Sequence, residues 1–136
     1  MKNNSVFIID DDLITVFGLK KILERISKEI KPTDFCNGSV ALDAIKSRIK
    51  DGRPLPSLIF LDINMPIMDG WTFLENFLEL PITQKINIKI ITSSIDIADR
   101  NKWQAYAKQS VHQIDYLTKP IHKLDINDLA VLEMAS

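Results

Sequence analysis

The stretch Leu58-Ile59-Phe60-Leu61-Asp62-Ile63-Asn64-Met65-Pro66 decides the fold. The apolar run Leu58 to Leu61 is too short for a free-standing helix and suits a strand buried on both faces. Pro66 and then Asp69-Gly70 break the strand pattern. Asp62 is therefore a carboxylate delivered at the end of an apolar strand, costly to bury without a partner or a task. An ordinary turn residue would look the same here. Its meaning depends on the rest of the chain.

Toward the N-terminus, Val6-Phe7-Ile8-Ile9 is a similar run, ending in Asp10-Asp11-Asp12. Three adjacent carboxylates repel one another, so they lie in water, cap a helix or gather around a cation. Asp12 is the expected N-cap, which leaves Asp10 and Asp11 unexplained. Val16, Leu19, Leu23, Ile26 and Ile30 then recur at three- and four-residue spacing among charged residues. That pattern predicts an amphipathic helix of about four turns, closed by Pro32. Thr33 to Cys36 reads as a strand, and Asn37-Gly38-Ser39 as the start of a second helix. Its apolar face is Ala41, Leu42, Ile45 and Ile49, and it ends near Lys50-Asp51-Gly52.

Toward the C-terminus, Trp71, Leu74, Phe77 and Leu78 predict a third helix stopped by Pro81. Asn87 to Ile91 is a β-branched strand ending in Thr92-Ser93-Ser94. Asp96 can cap a more polar helix over 97–108, whose largest apolar groups are Trp103 and Tyr106. Ile114 to Leu117 is a fifth strand running into Thr118-Lys119-Pro120, and a fifth helix starts near His122 or Asp125. Strands alternating with helices imply parallel pairing through right-handed crossovers. The expected fold is α/β: a flavodoxin-like three-layer sandwich with a five-stranded parallel sheet, order 2-1-3-4-5, and five helices.

The 136 residues fit one domain, 1–136, with a single sizeable core. A net charge of −1 gives no electrostatic footprint for direct nucleic acid binding. One cysteine, Cys36, excludes an internal disulfide framework and fits a reducing, cytoplasmic setting. The N-terminus does not read as a signal peptide, and no apolar stretch approaches membrane-spanning length.

Sites in open α/β sheets lie outside the carboxyl ends of the strands. Those ends carry Asp10, Asp11 and Asp12; Asp62; Thr92 and Ser93; and Lys119. The second strand offers only Cys36 and Asn37. Hard oxygens with a net charge of about −2 suit Mg²⁺. A carboxylate beside that ion can attack phosphorus, with a lysine and a hydroxyl holding phosphoryl oxygens. The set is complete for phosphoryl transfer to an aspartate. No Gly-rich phosphate loop accompanies it.

On these residues the chain resembles the receiver domains of two-component response regulators, over essentially its whole length. The matches are Asp10-Asp11, Asp62 in Leu-Asp-Ile-Asn-Met-Pro with Asp69-Gly70, Thr92, and Lys119-Pro120. The resemblance implies that Asp62 accepts a phosphoryl group from a sensor histidine kinase or a histidine phosphotransfer protein. It implies Mg²⁺ held by Asp11, Asp62 and the Asn64 backbone carbonyl, with Asp10 acting through water. Lys119 would hold the phosphoryl group, and Lys119-Pro120 would be a cis peptide. Thr92 and Tyr116 look like a switch pair, with output through the fourth helix, fifth strand and last helix to an unknown downstream protein. Trp103 and Tyr106 are candidates for that surface, although a helix needs an apolar stripe and at least one of them should be core. With no output domain in view, the expectation is a stand-alone, chemotaxis-regulator-like receiver. It would be a monomer or weak dimer that catalyses only its own phosphorylation and dephosphorylation. The family's small Gly-Ala step before the fifth strand is absent, with Lys108 to Gln113 in its place.

Two other classes compete. A haloacid-dehalogenase-type phosphatase would use Asp10 of Asp10-Asp11-Asp12 as nucleophile, but its usual Thr or Val is Ile14 here and no cap domain is available. A phosphorylation-independent interaction domain would merely keep the fold. His112 and His122 stand apart from the acidic ends and read as surface or packing residues. Cys36 reads as a small packing residue, Met65 and Met68 as turn packing, and Ser93 and Ser94 as loop caps.

Overall fold

The computed structural model describes residues 4–122. Its elements run β1 (Ser5–Ile9), α1 (Leu13–Ile26), β2 (Lys31–Phe35), α2 (Gly38–Asp51), β3 (Leu58–Asp62), α3 (Gly70–Leu78), β4 (Asn87–Thr92), α4 (Ile97–Gln109) and β5 (Gln113–Thr118). All strands are parallel and the sheet order is β2-β1-β3-β4-β5, as expected. The predicted fifth helix lies outside the described residues.

Alternation along the three central strands divides the core in two. Phe7, Ile9, Ile59, Leu61, Ile88 and Ile90 face α2, α3 and the half-buried side of α4. Val6, Ile8, Leu58, Phe60 and Ile91 face Val16, Leu19 and Leu23 of α1. Every residue of β3 is buried, which is why Leu58 to Leu61 reads as an unbroken apolar run.

The largest departure from the expected boundaries lies between α1 and β2. Helix α1 ends at Ile26, and Pro32 lies within β2 instead of closing the helix. Ser27 leaves the helix in an extended conformation, and its N–H bonds the Leu23 carbonyl. Ile30 continued the helical spacing only because this loop residue drops into the α1-side core. Pro32 is tolerated because β2 is an edge strand, with neighbours to satisfy on one side only. Cys36 is exposed rather than packed, beyond the end of that edge.

Lys89 is a charged residue within the buried run of β4. It is 2% exposed, and its Nζ lies 3.0 Å from Asp115 Oδ2 on β5. Register makes the two residues direct partners, so the charge enters the sheet already paired.

The segment lacking a Gly-Ala step is held by His112. Its ring is buried and tilted against Phe77 at 5.2 Å between centroids, and Nδ1 accepts the Ile86 N–H at 3.0 Å. The packing role expected of this histidine is what the fold uses. Burial lowers its pKa, and a protonated Nδ1 could not accept the Ile86 bond. Its stabilising contribution is therefore complete above the unfolded histidine value of about 6.5 and is lost as pH falls through the lower folded value. His112→Asn keeps an acceptor but cannot titrate there. Urea titrations should show it about 1–2 kcal/mol less stable than wild type at pH 7.5, with the gap narrowing toward pH 5. A constant gap would rule this out.

Candidate functional site

Parallel pairing brings the ends of β1, β3, β4 and β5 to one edge. Register sets Ile9 beside Leu61, Asp62 beside Ile91, and Thr92 beside Thr118. Asp10, Asp11 and Asp62 each turn a carboxylate oxygen into one cluster, all within 4.8 Å of one another. Asp10 and Asp62 are buried, at 2% and 4% exposure, and Asp11 is exposed. Lys119 Nζ stands 3.1 Å from Asp10 Oδ2 and 3.5 Å from Asp62 Oδ1. The Lys119-Pro120 peptide is cis.

Each group is held from its own backbone neighbourhood. The Asp10 N–H donates to the Phe35 carbonyl, and Asp10 Oδ1 accepts the Asp12 N–H at 2.8 Å. Asp12 caps α1, accepting from the Ile14 N–H and the Thr15 hydroxyl, as its position suggested. Those bonds hold its carboxyl below the usual range. The Lys119 N–H donates to the Thr92 carbonyl at 2.7 Å, tying the lysine to the end of β4. Burial works against the Lys119 ammonium, but Asp10, Asp62 and Asp12 outweigh it and raise its pKa. Asp62 is pushed up to about 7, by burial first and the Asp10 charge second, against the pull of Lys119. Burial and the neighbouring carboxylates together outweigh what one lysine can offset. Clustered hard oxygens short of positive charge fit a divalent cation such as Mg²⁺.

The loop after β3 is built tightly. The Gly70 N–H donates to the Ile63 carbonyl at 2.8 Å. Ile67 takes a φ of 68° while its side chain is 86% exposed, and the Met68 N–H closes onto the Pro66 carbonyl at 2.7 Å. A β-branched residue in that region costs about 1–2 kcal/mol, which little burial offsets. Ile67→Gly should therefore raise stability by about 0.5–1 kcal/mol after the added chain entropy, read as a higher urea midpoint at unchanged slope.

Thr92 is fully buried, and its Oγ1 accepts the Ser94 N–H at 3.0 Å. The Ser94 hydroxyl donates to Asp99 Oδ2 at 2.7 Å and accepts the Asp96 N–H, so Ser94 does cap the loop. Asp96 caps α4 through the Ala98 N–H. Tyr116 is tilted against the Trp103 ring, 5.5 Å between centroids, and the Arg100 guanidinium lies over its ring at 5.4 Å. Its buried hydroxyl has no hydrogen-bond partner among the described residues. Trp103 and Tyr106 are both half-buried: Trp103 Nε1 donates to the Ile114 carbonyl and Tyr106 stacks on Trp71. The contacts of Gly70, Trp71 and Asp99 escaped the sequence reading. Asp69-Gly70 was legible as a turn and as part of the family motif but not as a contact, because contacts across elements leave no periodic trace.

The family model for the response regulator receiver domain matches residues 6–130. The cyclic di-GMP phosphodiesterase response regulator RpfG of Xanthomonas campestris pv. campestris is 34% identical over 122 residues, covering 90% of this chain and 29% of that protein. A protein-glutamate methylesterase/protein-glutamine glutaminase of the same organism is 33% identical over 121 residues, covering 89% of this chain and 30% of that protein. The chain spans about 30% of the length of these relatives. Among solved structures, a two component response regulator from Cytophaga hutchinsonii superposes with a TM-score of 0.79 at 28% identity, covering 100% of both chains. A CheY-like receiver domain from Methylobacillus flagellatus, 18% identical over 97% of this chain and 98% of its own, shares the fold with a TM-score of 0.70. An acid cluster and lysine at the carboxyl edge of a 2-1-3-4-5 sheet define a class that these matches also reach: the chain belongs to the response regulator receiver domain family. It is a module of two-component signalling. The haloacid-dehalogenase reading finds no support in these relatives, and the Asp10 carboxylate is engaged by Lys119 and the Asp12 N–H. No helix among the described residues is long and apolar enough to cross a membrane.

Proposed function

We propose that Asp62 is the phosphoacceptor of this receiver and that phosphorylation depends on Mg²⁺. The observation that carries this is the cluster of Asp10, Asp11 and Asp62 oxygens with Lys119 Nζ against two of them. Asp11, Asp62 and the Asn64 backbone carbonyl would hold the cation, with Asp10 reaching it through water. When bound, Mg²⁺ supplies positive charge that keeps Asp62 ionised and offsets the charge of the transferring group. An Asp62 oxygen attacks phosphorus, the bond to the donor's nitrogen or acyl oxygen breaks, and the donor leaves with that electron pair. Lys119 holds one phosphoryl oxygen and the Thr92 hydroxyl donates to another. In this reading, Thr92 moves toward the new group and Tyr116 follows, altering the surface of α4, β5 and the last helix. The Tyr116 hydroxyl supports this: it has no partner among the described residues, and a buried group without one loses little by moving.

The phosphodonor in this reading is a sensor histidine kinase or histidine phosphotransfer protein in the cytoplasm. Leu13, Ile14 and Phe17 on α1 are 77%, 83% and 63% exposed beside the acid cluster and suit contact with it. The domain catalyses its own phosphorylation and dephosphorylation only, and it signals by protein contact without touching nucleic acid, as a monomer or weak dimer. The test is incubation with acetyl phosphate and Mg²⁺, followed by mass mapping of the modified residue. Label on Asp62 that requires Mg²⁺ is expected. Label on Asp10, or label surviving Asp62→Asn, would overturn the proposal.

A further inference from the structure

We infer that Asp99 is a positioning residue for phosphoryl chemistry at Asp62, acting through a ring of contacts that joins the loops after β3 and β4. The inference rests on the proposed phosphorylation of Asp62. One side of the ring starts on the phosphoacceptor's own backbone. Gly70 donates to the Ile63 carbonyl and packs so closely on the Asp62 carbonyl that a Cβ there would stand 2.3 Å from it. The next residue, Trp71, is 6% exposed, and its Nε1 donates to Asp99 Oδ1 at 3.1 Å. Asp99 Oδ2 accepts from the Ser94 hydroxyl at 2.7 Å, and the Ser94 N–H donates to Thr92 Oγ1 at 3.0 Å. The ring thus runs from the residue after Asp62 to the hydroxyl of Thr92.

The plainer account of Asp99 is an acid in the first turn of α4, placed there for the helix dipole. Capping of α4 is done by Asp96, however, through the Ala98 N–H. Both Asp99 oxygens accept from groups outside α4, one on α3 and one in the loop that follows Thr92. A carboxylate accepting two such bonds holds its donors more firmly than a neutral acceptor would. Thr92 Oγ1 already accepts from Ser94, so its own proton is the part left for a phosphoryl oxygen. If the loop slackens, that proton is no longer set at a fixed place relative to Asp62, and transition-state stabilisation falls while the cation ligands stay as they were.

The experiment measures label uptake from acetyl phosphate in Asp99→Ala, Trp71→Phe, Ser94→Ala and Ser94→Thr, across a Mg²⁺ series. Trp71→Phe keeps a ring for Tyr106 to stack on but has no Nε1, and it stands in for Asp99→Ala should that variant fold poorly. The rate at saturating Mg²⁺ should fall about three- to tenfold in Asp99→Ala, Trp71→Phe and Ser94→Ala. Half-saturating Mg²⁺ should stay within about twofold, because the cation ligands are untouched. Ser94→Thr, which keeps the hydroxyl, should recover most of the rate. The double variant Asp99→Ala/Trp71→Phe should be no slower than the slower single, since one ring is broken either way. Tyr106→Phe loses only the bond to Glu75 and should label at the wild-type rate. Wild-type rates in the folded ring variants, or additive losses, would overturn the inference while leaving the phosphoacceptor in place. A wild-type protein that takes up no label on Asp62 would overturn both.

Discussion

Asp62→Asn is expected to unfold at a higher temperature than the wild-type protein at pH 8 without added cation, and to take up no phosphoryl group. The Asp62 carboxyl is raised to about 7 by burial and by Asp10, with Lys119 opposing. In an unfolded chain it would titrate near 4. Between about 4 and about 7 the folded protein therefore holds a proton that the unfolded chain has released. The stability tied to that proton is complete below about 4 and is lost as pH rises through about 7. Asparagine resembles the protonated acid and cannot lose the proton, so the variant keeps this stability at pH 8. The gain there should be about 2 kcal/mol once solvent screening of the partly accessible site is allowed for. It should shrink toward zero at pH 4.5. His112 gives the opposite slope over the same range, but it is present in both proteins and cancels in their difference. Mg²⁺ should stabilise wild type more at pH 8 than at pH 5 and affect Asp62→Asn little. Thermal melts at the two pH values check this, and equal gains at both would show that burial and Asp10 do not hold a proton on Asp62.

Gly70→Ala should lose about 2–4 kcal/mol and most of its phosphorylation together. The added Cβ would meet the Asp62 carbonyl oxygen at 2.3 Å and Ile63 Cα at 2.8 Å. Both are backbone atoms, one at the end of β3 and one just beyond it, so no side chain can swing aside. Either α3 lifts, exposing Trp71, Phe73 and Phe77, or the end of β3 shifts and carries Asp62 away from Lys119. By contrast, Gly18 has nothing within 4 Å of an added Cβ, so Gly18→Ala should stabilise α1 by about 0.5–1 kcal/mol. Urea unfolding of the pair, with acetyl phosphate labelling, separates the two cases. Wild-type stability and labelling in Gly70→Ala would mean that the loop is looser than these distances imply.

Some of the site was legible along the chain because it obeys local rules. Asp12 and Asp96 were recognisable as caps, since capping depends on a few neighbouring residues. The apolar runs of β1 and β3 were recognisable because strands covered on both faces have no polar positions to spare. Other features needed the sheet. Pro32 looked like a helix stop until β2 proved to be an edge strand. Lys89 is intelligible only beside Asp115, which lies 26 residues later in the chain. His112 looked like a lone histidine, and its role is the bond to Ile86 and the ring of Phe77.

By itself the sequence determined the order and type of the elements and the residues that end each strand, because hydrophobic period and strand termini are properties of consecutive residues. From these the edge carrying Asp10, Asp11, Asp62, Thr92 and Lys119 follows by topology. Only the tertiary structure decided how far Asp62 is buried, how close Lys119 stands to it, and that Asp99 bridges Trp71 to Ser94. Those quantities are sums over neighbours from separate strands and helices. No window along the chain contains them.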